Sequence, residues 1–163
     1  MLACCVQEKC CVPEPLTMHR YLIVDCAVRR DAAQTLRFYA AELPHRSLFH
    51  GQPEERHADA GPWLVQVDAN NHLQAWLNAL EGTGDRVPCV TYLDAQDSFE
   101  AVFEHLQSLL EMRLSDGSSA LLRFWDPLVI NRLRGVLTAE QFTTIIAPFT
   151  EWRTSQGRYS NAY

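Results

Sequence analysis

The chain has 163 residues, of which 47% are apolar, with a formal net charge of −6 and a sequence pI near 5.4. These values are ordinary for a globular protein, and the length allows a sizeable core. The acidic balance argues against nucleic-acid binding, which needs a basic face, and against attraction to an anionic membrane surface. No apolar run is long enough for a membrane span and no signal peptide is recognisable, so we expect a cytoplasmic protein.

Residues 1–18 contain two prolines and no periodic pattern, which predicts a flexible N-terminal arm. This arm carries paired cysteines in a CC-x4-CC arrangement, Cys4, Cys5, Cys10 and Cys11. Adjacent cysteines do not match the spacing of zinc ribbons or knuckles. We expect reduced thiols in a frayed tail.

The first half of the folded part alternates between strand and helix patterns. Residues 20–28 are almost continuously apolar, which predicts a central strand that is buried on both faces. Asp31 and Gln34 stand in capping-box register at the start of a helix that ends before Pro44. A short strand at 47–49 and a polar loop follow.

The alternation continues with residues 62–67, which have the pattern of a half-buried strand. A helix follows with apolar residues at helical spacing between 73 and 80, and then a strand at 87–93. Residues 99–110 carry the strongest amphipathic stripe of the chain, and SDGS at 115–118 predicts a turn.

Residues 121–125 are interpreted as a buried strand that turns directly into a helix. Asp126 would be the N-cap of this helix and Pro127 its first residue. Arg123 would then lie between large apolar side chains and needs a partner. It is at a sheet edge, paired with a carboxylate such as Asp25 or Asp126, or open to a partner outside the chain.

Thr138 and Gln141 predict one more helix, which would kink or break at Pro148. Residues 154–163 are expected to be a disordered tail. The strands and helices are interleaved, so we predict an α/β fold in which one layered domain, residues 19–153, has a mixed β-sheet flanked by helices and a C-terminal helical pair.

Standard catalytic motifs are not found: there is no Gly-rich phosphate loop, no G-x-S-x-G and no H-E-x-x-H. His50, His57 and Asp59 could hold a metal on one loop, and Cys26 or Cys89 could act as a nucleophile with a distant histidine. Neither pattern has a standard spacing, and a cysteine in a strand is usually a small core residue. We expect no enzyme activity, cofactor or metal site, with a small metal- or thiol-dependent enzyme as the alternative.

Three blocks of the sequence carry a family resemblance: YLIVDCA at 21–27, GPWLVQVD at 61–68 and LLRFWDPLVINRL at 121–133. Together they resemble the bacterial type VI secretion adaptors, the Tap/Tec chaperones, long catalogued as a domain of unknown function. The resemblance spans about residues 20–153. Its signature positions are Gly61, Pro62, Trp63, Arg123, Trp125, Asp126 and Pro127. The paired cysteines of the arm are a departure from the family pattern.

The resemblance implies a cytoplasmic, non-catalytic adaptor that holds a toxic effector and loads it onto the VgrG spike. An immunity protein that neutralises one effector is a further alternative. Trp and Arg are enriched in binding hot spots, and the last predicted helix has more apolar surface than one helix usually buries. The predicted partner-binding residues are Trp63, Arg123, Trp125, Phe142, Ile145, Phe149 and Trp152.

Overall fold

The computed structural model describes residues 17–68, 72–82 and 87–161. The strands are β1 (His19–Asp25), β2 (His45–Ser47), β3 (Pro62–Val67), β4 (Val90–Ala95), β5 (Glu111–Arg113), β6 (Ser119–Leu121), β7 (Phe149–Thr154) and β8 (Gly157–Tyr159). The α-helices are α1 (Ala32–Tyr39), α2 (Leu73–Glu81), α3 (Phe99–Ser108), α4 (Pro127–Val136) and α5 (Ala139–Ile146). Two short 3-10 helices span Cys26–Val28 and Glu55–Ala60. The predicted N-terminal arm and its four cysteines lie almost entirely outside the described residues.

The main sheet has six strands in the order β2-β3-β1-β4-β7-β8, and β5 and β6 form a separate hairpin. The layered α/β class and the central position of β1 are confirmed. The neighbouring strands pair antiparallel throughout, whereas we expected a mixed sheet. The strands β3 and β4, which α2 connects, run parallel to each other. They are not neighbours, however, because β1 lies between them and pairs antiparallel with both.

The two faces of the sheet pack against different helices. Because successive side chains of a strand point to opposite faces, Tyr21 and Ile23 of β1 belong to one core and Leu22 and Val24 to the other. The first core contains buried residues of α3, α4 and α5, and the second contains those of α1 and α2. Each face of the central strand is therefore covered.

Several predicted local signals are confirmed. Asp126 is the N-cap of α4 and Pro127 its first residue. Thr138 and Gln141 form a complete capping box at the start of α5. The helix α3 follows the N-cap residue Ser98, whose hydroxyl accepts a hydrogen bond from the N–H of Ala101.

The C-terminal prediction is wrong in its second half. The helix α5 ends at Ile146, and Phe149 and Trp152 lie in the strand β7, which pairs with β4. Both side chains are buried in the core, so the exposed helical surface predicted there is not present. Residues 154–159 are ordered as well, because β8 pairs with β7 and Tyr159 is buried. Pro148 ends the helix instead of kinking it, and the edge of β4 provides the hydrogen-bonding partner for a strand.

The predicted strand at 121–125 is also wrong. The strand β6 ends at Leu121, and the chain then turns towards α4. Phe124 and Trp125 are both buried, whereas Arg123 is exposed. Side chains in a turn do not alternate between two faces as those of a strand do, so Arg123 can be exposed directly before two buried aromatic residues.

No helix among the described residues is long and apolar enough to cross a membrane.

The burial of Trp152 predicts a large loss of stability when the side chain is removed. We expect Trp152→Ala to lower the free energy of unfolding by about 3–5 kcal/mol, because an indole in the core leaves a cavity. Phe38→Ala is the matched control, because Phe38 is 76% exposed in α1 and should change the stability by less than about 0.5 kcal/mol. Urea unfolding checks both variants, and equal losses would contradict the placement of Trp152 in β7.

Candidate functional site

The three blocks that carry the family resemblance meet at the C-terminal end of β1. Asp25, the last residue of β1, lies opposite Pro62 at the start of β3. Its main-chain N–H donates to the carbonyl of Cys89, 2.8 Å away, just before β4. The Thr91 hydroxyl in β4 donates to the carbonyl of Trp125 at 3.2 Å, which brings the turn before α4 to the same place. We call Asp25, Arg123, Trp125 and Asp126 the Asp25 cluster.

Asp25 places a buried carboxylate in this cluster, with the residue only 6% exposed. One of its oxygens accepts a hydrogen bond from the main-chain N–H of Ala27 at 3.0 Å, which caps the 3-10 helix Cys26–Val28. The other lies 3.6 Å from Nη2 of Arg123. Burial raises the pKa of Asp25, and the hydrogen bond from Ala27, the charge of Arg123 and the hydrogen bond from Trp125 oppose this rise.

Arg123 connects two carboxylates. Its Nη2 donates to Oδ2 of Asp126 at 3.1 Å and also lies within ion-pair distance of Asp25. Of the alternatives for Arg123, the internal ion pair is therefore confirmed, with both of the predicted partners. The side chain is still 53% exposed, so this arginine is also accessible from outside.

Each side-chain oxygen of Asp126 accepts a different hydrogen bond. Oδ1 accepts the N–H of Leu128 at 2.9 Å as the N-cap of α4, and Oδ2 accepts from Arg123. The start of α4 is thus fixed to the Asp25 cluster by side-chain hydrogen bonds.

Gly61 lets the segment before β3 approach the cluster closely. A Cβ atom at Gly61 would lie 2.5 Å from two ring carbons of Phe49, far inside contact distance. The Phe49 ring in turn packs edge-on against Trp125, with 5.8 Å between the ring centroids. A side chain at position 61 would therefore disturb the packing beneath the Asp25 cluster.

Trp63 lies on the opposite face of the sheet from Trp125. Its indole N–H donates to the carbonyl of Ala58 at 2.8 Å, and the guanidinium of Arg37 lies 5.4 Å from the ring centroid. The side chain is held by these contacts, and the residue is 8% exposed.

The seven predicted partner-binding residues do not form one surface. Five of them are buried: Trp63, Trp125, Ile145, Phe149 and Trp152. Arg123 is exposed at the Asp25 cluster, and Phe142 of α5 is partly exposed beside Tyr159. Among the predicted residues, these two are the ones that a partner could reach in the folded chain.

The cysteines proposed as nucleophiles are in an unfavourable environment for that role. Cys26 and Cys89 are both buried, and burial raises the pKa of each thiol to about 12. A thiol with such a pKa holds almost no thiolate at neutral pH. Across the residues that the structure describes, no group of three or more His, Cys, Asp or Glu side chains is placed to hold a metal ion.

Sequence reasoning missed two features of this site. Phe49, in the predicted short strand, lies in the turn two residues after β2, and its ring fills the space left by Gly61. Thr91, fully buried in β4, holds the turn at Trp125. Asp25 had a readable signal, because a carboxylate that interrupts a buried strand needs a partner.

The family comparison matches most of the chain. The model described as "Domain of unknown function (DUF4123)" matches residues 20–144, from β1 into α5. The strands β7 and β8 lie after the matched region. No curated protein and no solved structure matches the chain.

The close approach at Gly61 predicts that a single methyl group is harmful there. We expect Gly61→Ala to lower the free energy of unfolding by about 1–3 kcal/mol, because the Phe49 ring must move. Gly61 has φ −120°, which alanine also adopts, so backbone strain does not contribute. Gly135→Ala in α4 is the control, since nothing lies within 4 Å of its added Cβ. Its stability should stay the same or rise by up to about 1 kcal/mol. Thermal and urea unfolding measure both, and a harmless Gly61→Ala would refute the packing constraint.

The raised pKa of Asp25 predicts a pH dependence of stability. The Asp25 carboxyl binds its proton more tightly in the folded chain than in the unfolded chain, where its pKa is near 3.8. The stabilising contribution is therefore fully present below that pH and is lost as the pH rises through the folded pKa. Asp25→Asn removes this titration, so the free energy of unfolding of the wild type minus that of the variant should fall as the pH rises from about 3.8 through the folded pKa.

Asp116→Asn provides a control with the opposite sign. Hydrogen bonds from the Ser118 hydroxyl and main-chain N–H lower the pKa of Asp116. The stabilisation from ionised Asp116 is present above the unfolded pKa and is lost as the pH falls. The free energy of unfolding of the wild type minus that of Asp116→Asn should therefore rise with pH. Urea unfolding at several pH values, followed by tryptophan fluorescence, measures both differences. A rise with pH for Asp25→Asn would mean that the charge of Arg123 outweighs burial.

Proposed function

Because the chain belongs to the DUF4123 family, we propose that it is a type VI secretion adaptor that binds a toxic effector in the cytoplasm and helps to load it onto the VgrG spike. In this role it is a chaperone without catalytic activity and needs no cofactor. The observation that carries the proposal is the family match over residues 20–144, together with the resemblance of the three sequence blocks to such adaptors.

The geometry of the three blocks supports a shared scaffold. They come from distant parts of the sequence and meet at the Asp25 cluster, where ion pairs, caps and aromatic contacts connect them. A rigid scaffold suits a protein that must present one surface to a partner, because less conformational entropy is lost on binding.

The chemistry of the described residues supports binding over catalysis. Burial keeps the two thiols in the protonated form, and the Asp25 carboxylate is occupied by a main-chain N–H and an arginine. These groups are used for the fold. Exposed arginine at the cluster is, by contrast, a residue type that contributes strongly at protein interfaces.

Affinity purification of the tagged chain tests the proposal. The tagged chain is expressed in bacterial cells that contain an active type VI secretion system, and the bound proteins are identified by mass spectrometry. Recovery of a VgrG protein and a toxin supports the adaptor role. Recovery of a toxin without VgrG indicates an immunity protein, and recovery of neither contradicts the proposal.

Arg123 provides a sharper test of the binding surface. We expect Arg123→Ala to reduce recovery of the partner about tenfold, the loss expected for a hot-spot arginine. Arg29→Ala is the matched control, because Arg29 is also an exposed arginine paired with an aspartate, at 2.6 Å from Asp31. Circular dichroism and melting temperature must show that both variants fold. Unchanged recovery with folded Arg123→Ala would limit Arg123 to its internal ion pairs.

A further inference from the structure

The strand β8 leaves one edge of the six-stranded sheet open. It pairs with β7, from Thr154↔Gly157 to Trp152↔Tyr159, and has no other neighbour among the described strands. The outer side of an edge strand presents main-chain N–H and C=O groups that an added strand can pair with. β8 is only three residues long, so main-chain pairing alone would give a weak binding site.

A groove runs beside this edge and supplies side-chain contacts as well. It has a volume of about 480 Å³ and lies between β8 and the helices α4 and α5. Phe142, Ile146 and Tyr159 are among the residues that line it. The rings of Phe142 and Tyr159 pack edge-on, with 5.4 Å between their centroids. The groove therefore has aromatic and aliphatic surface beside an open strand edge.

Hydrogen bonds on both sides hold the groove in shape. The Tyr159 hydroxyl donates to Oδ1 of Asn131 in α4 at 3.0 Å. After β8, the Asn161 side chain donates to the carbonyls of Ile146 and Ala147 at the end of α5, at 2.9 and 2.8 Å. The strand edge and the helices are thus fixed relative to each other before any partner binds, which lowers the entropic cost of binding.

The charge of the groove is positive, although the chain as a whole carries −6. Its charged lining residues are Arg134 and Arg158. The guanidinium of Arg158 is paired with Glu151 at 2.7 Å on the neighbouring strand. Arg134 lies 6.0 Å from the centroid of the Tyr159 ring and forms no ion pair with any described residue. Arg134 can therefore pair with a carboxylate of another molecule.

We propose that this groove binds an acidic segment of a partner protein in extended conformation, which adds a strand to β8 and pairs a carboxylate with Arg134. The inference rests on the proposed function, since the partner would be the effector or the spike. Alternate side chains of an added strand point to one face, and Phe142, Tyr159 and Arg134 all lie on the face that α4 and α5 cover. The positions of the added strand that point to this face would therefore carry apolar residues for Phe142 and Tyr159 and an acidic residue for Arg134.

The test uses a phage-displayed library of short random peptides, selected on the purified full chain. We expect the selected peptides to be enriched in Asp and Glu, with apolar residues two positions away from the acidic residue, because residues two apart share one face of a strand. Arg134→Glu should bind these peptides about tenfold more weakly, because a charge-assisted hydrogen bond is lost and a repulsion is added. Arg132→Glu is the control: it is an exposed arginine on the same helix, outside the groove, and should leave binding unchanged.

The location is checked by NMR with one selected peptide. Amide shifts and new protection from hydrogen exchange should be confined to β8 and the adjoining residues of α4 and α5. The proposal is overturned if no acidic peptide is selected, if the two arginine variants weaken binding equally, or if the shifted amides lie elsewhere. Because the peptides replace the natural partner, this result is independent of whether VgrG and a toxin are recovered in the affinity purification.

Discussion

A buried carboxylate, Asp25, ends the central strand, and the surrounding segments are arranged to compensate its charge. An ionised carboxylate in this position is costly unless hydrogen bonds and an opposite charge replace its water. The 3-10 helix after β1 supplies a main-chain N–H, and the turn before α4 supplies the guanidinium of Arg123. That turn must therefore lie over the end of the sheet. Asp126, which shares Arg123, then fixes the point at which α4 begins.

The elements that could be predicted from sequence are those whose signals are local. Residues 62–67 form a strand with the predicted bounds, because the alternation of side chains is contained within the segment. The starts of α4 and α5 are encoded by a cap and its neighbours, at Asp126–Pro127 and at Thr138–Gln141. At both helix starts, the capping hydrogen bonds are made within about four residues, so no knowledge of the fold is needed to predict them.

The wrong predictions concern segments whose structure depends on distant partners. Phe142, Ile145, Phe149 and Trp152 follow a helical spacing, but the edge of β4 takes the last two into a strand. The same dependence applies to Arg123. Its need for a carboxylate was readable and both candidate partners were correct, yet the expected strand geometry was wrong because a turn, and not a strand, brings Arg123 to Asp25.

The signature positions of the family resemblance describe the interior of the fold more than its surface. Gly61, Pro62, Trp63, Trp125 and Pro127 are buried, and Asp126 is a cap, which leaves Arg123 as the exposed member. Such residues are constrained by packing, whatever partner the protein binds. In the proposed adaptor role, partner discrimination would then come from exposed residues that the fold leaves free to vary. The groove beside β8 meets this condition, because Arg134 forms no ion pair within the part of the chain that the structure describes, and β8 itself lies after the residues that match the family. Two proteins could share the Asp25 cluster and still bind different partners at this edge.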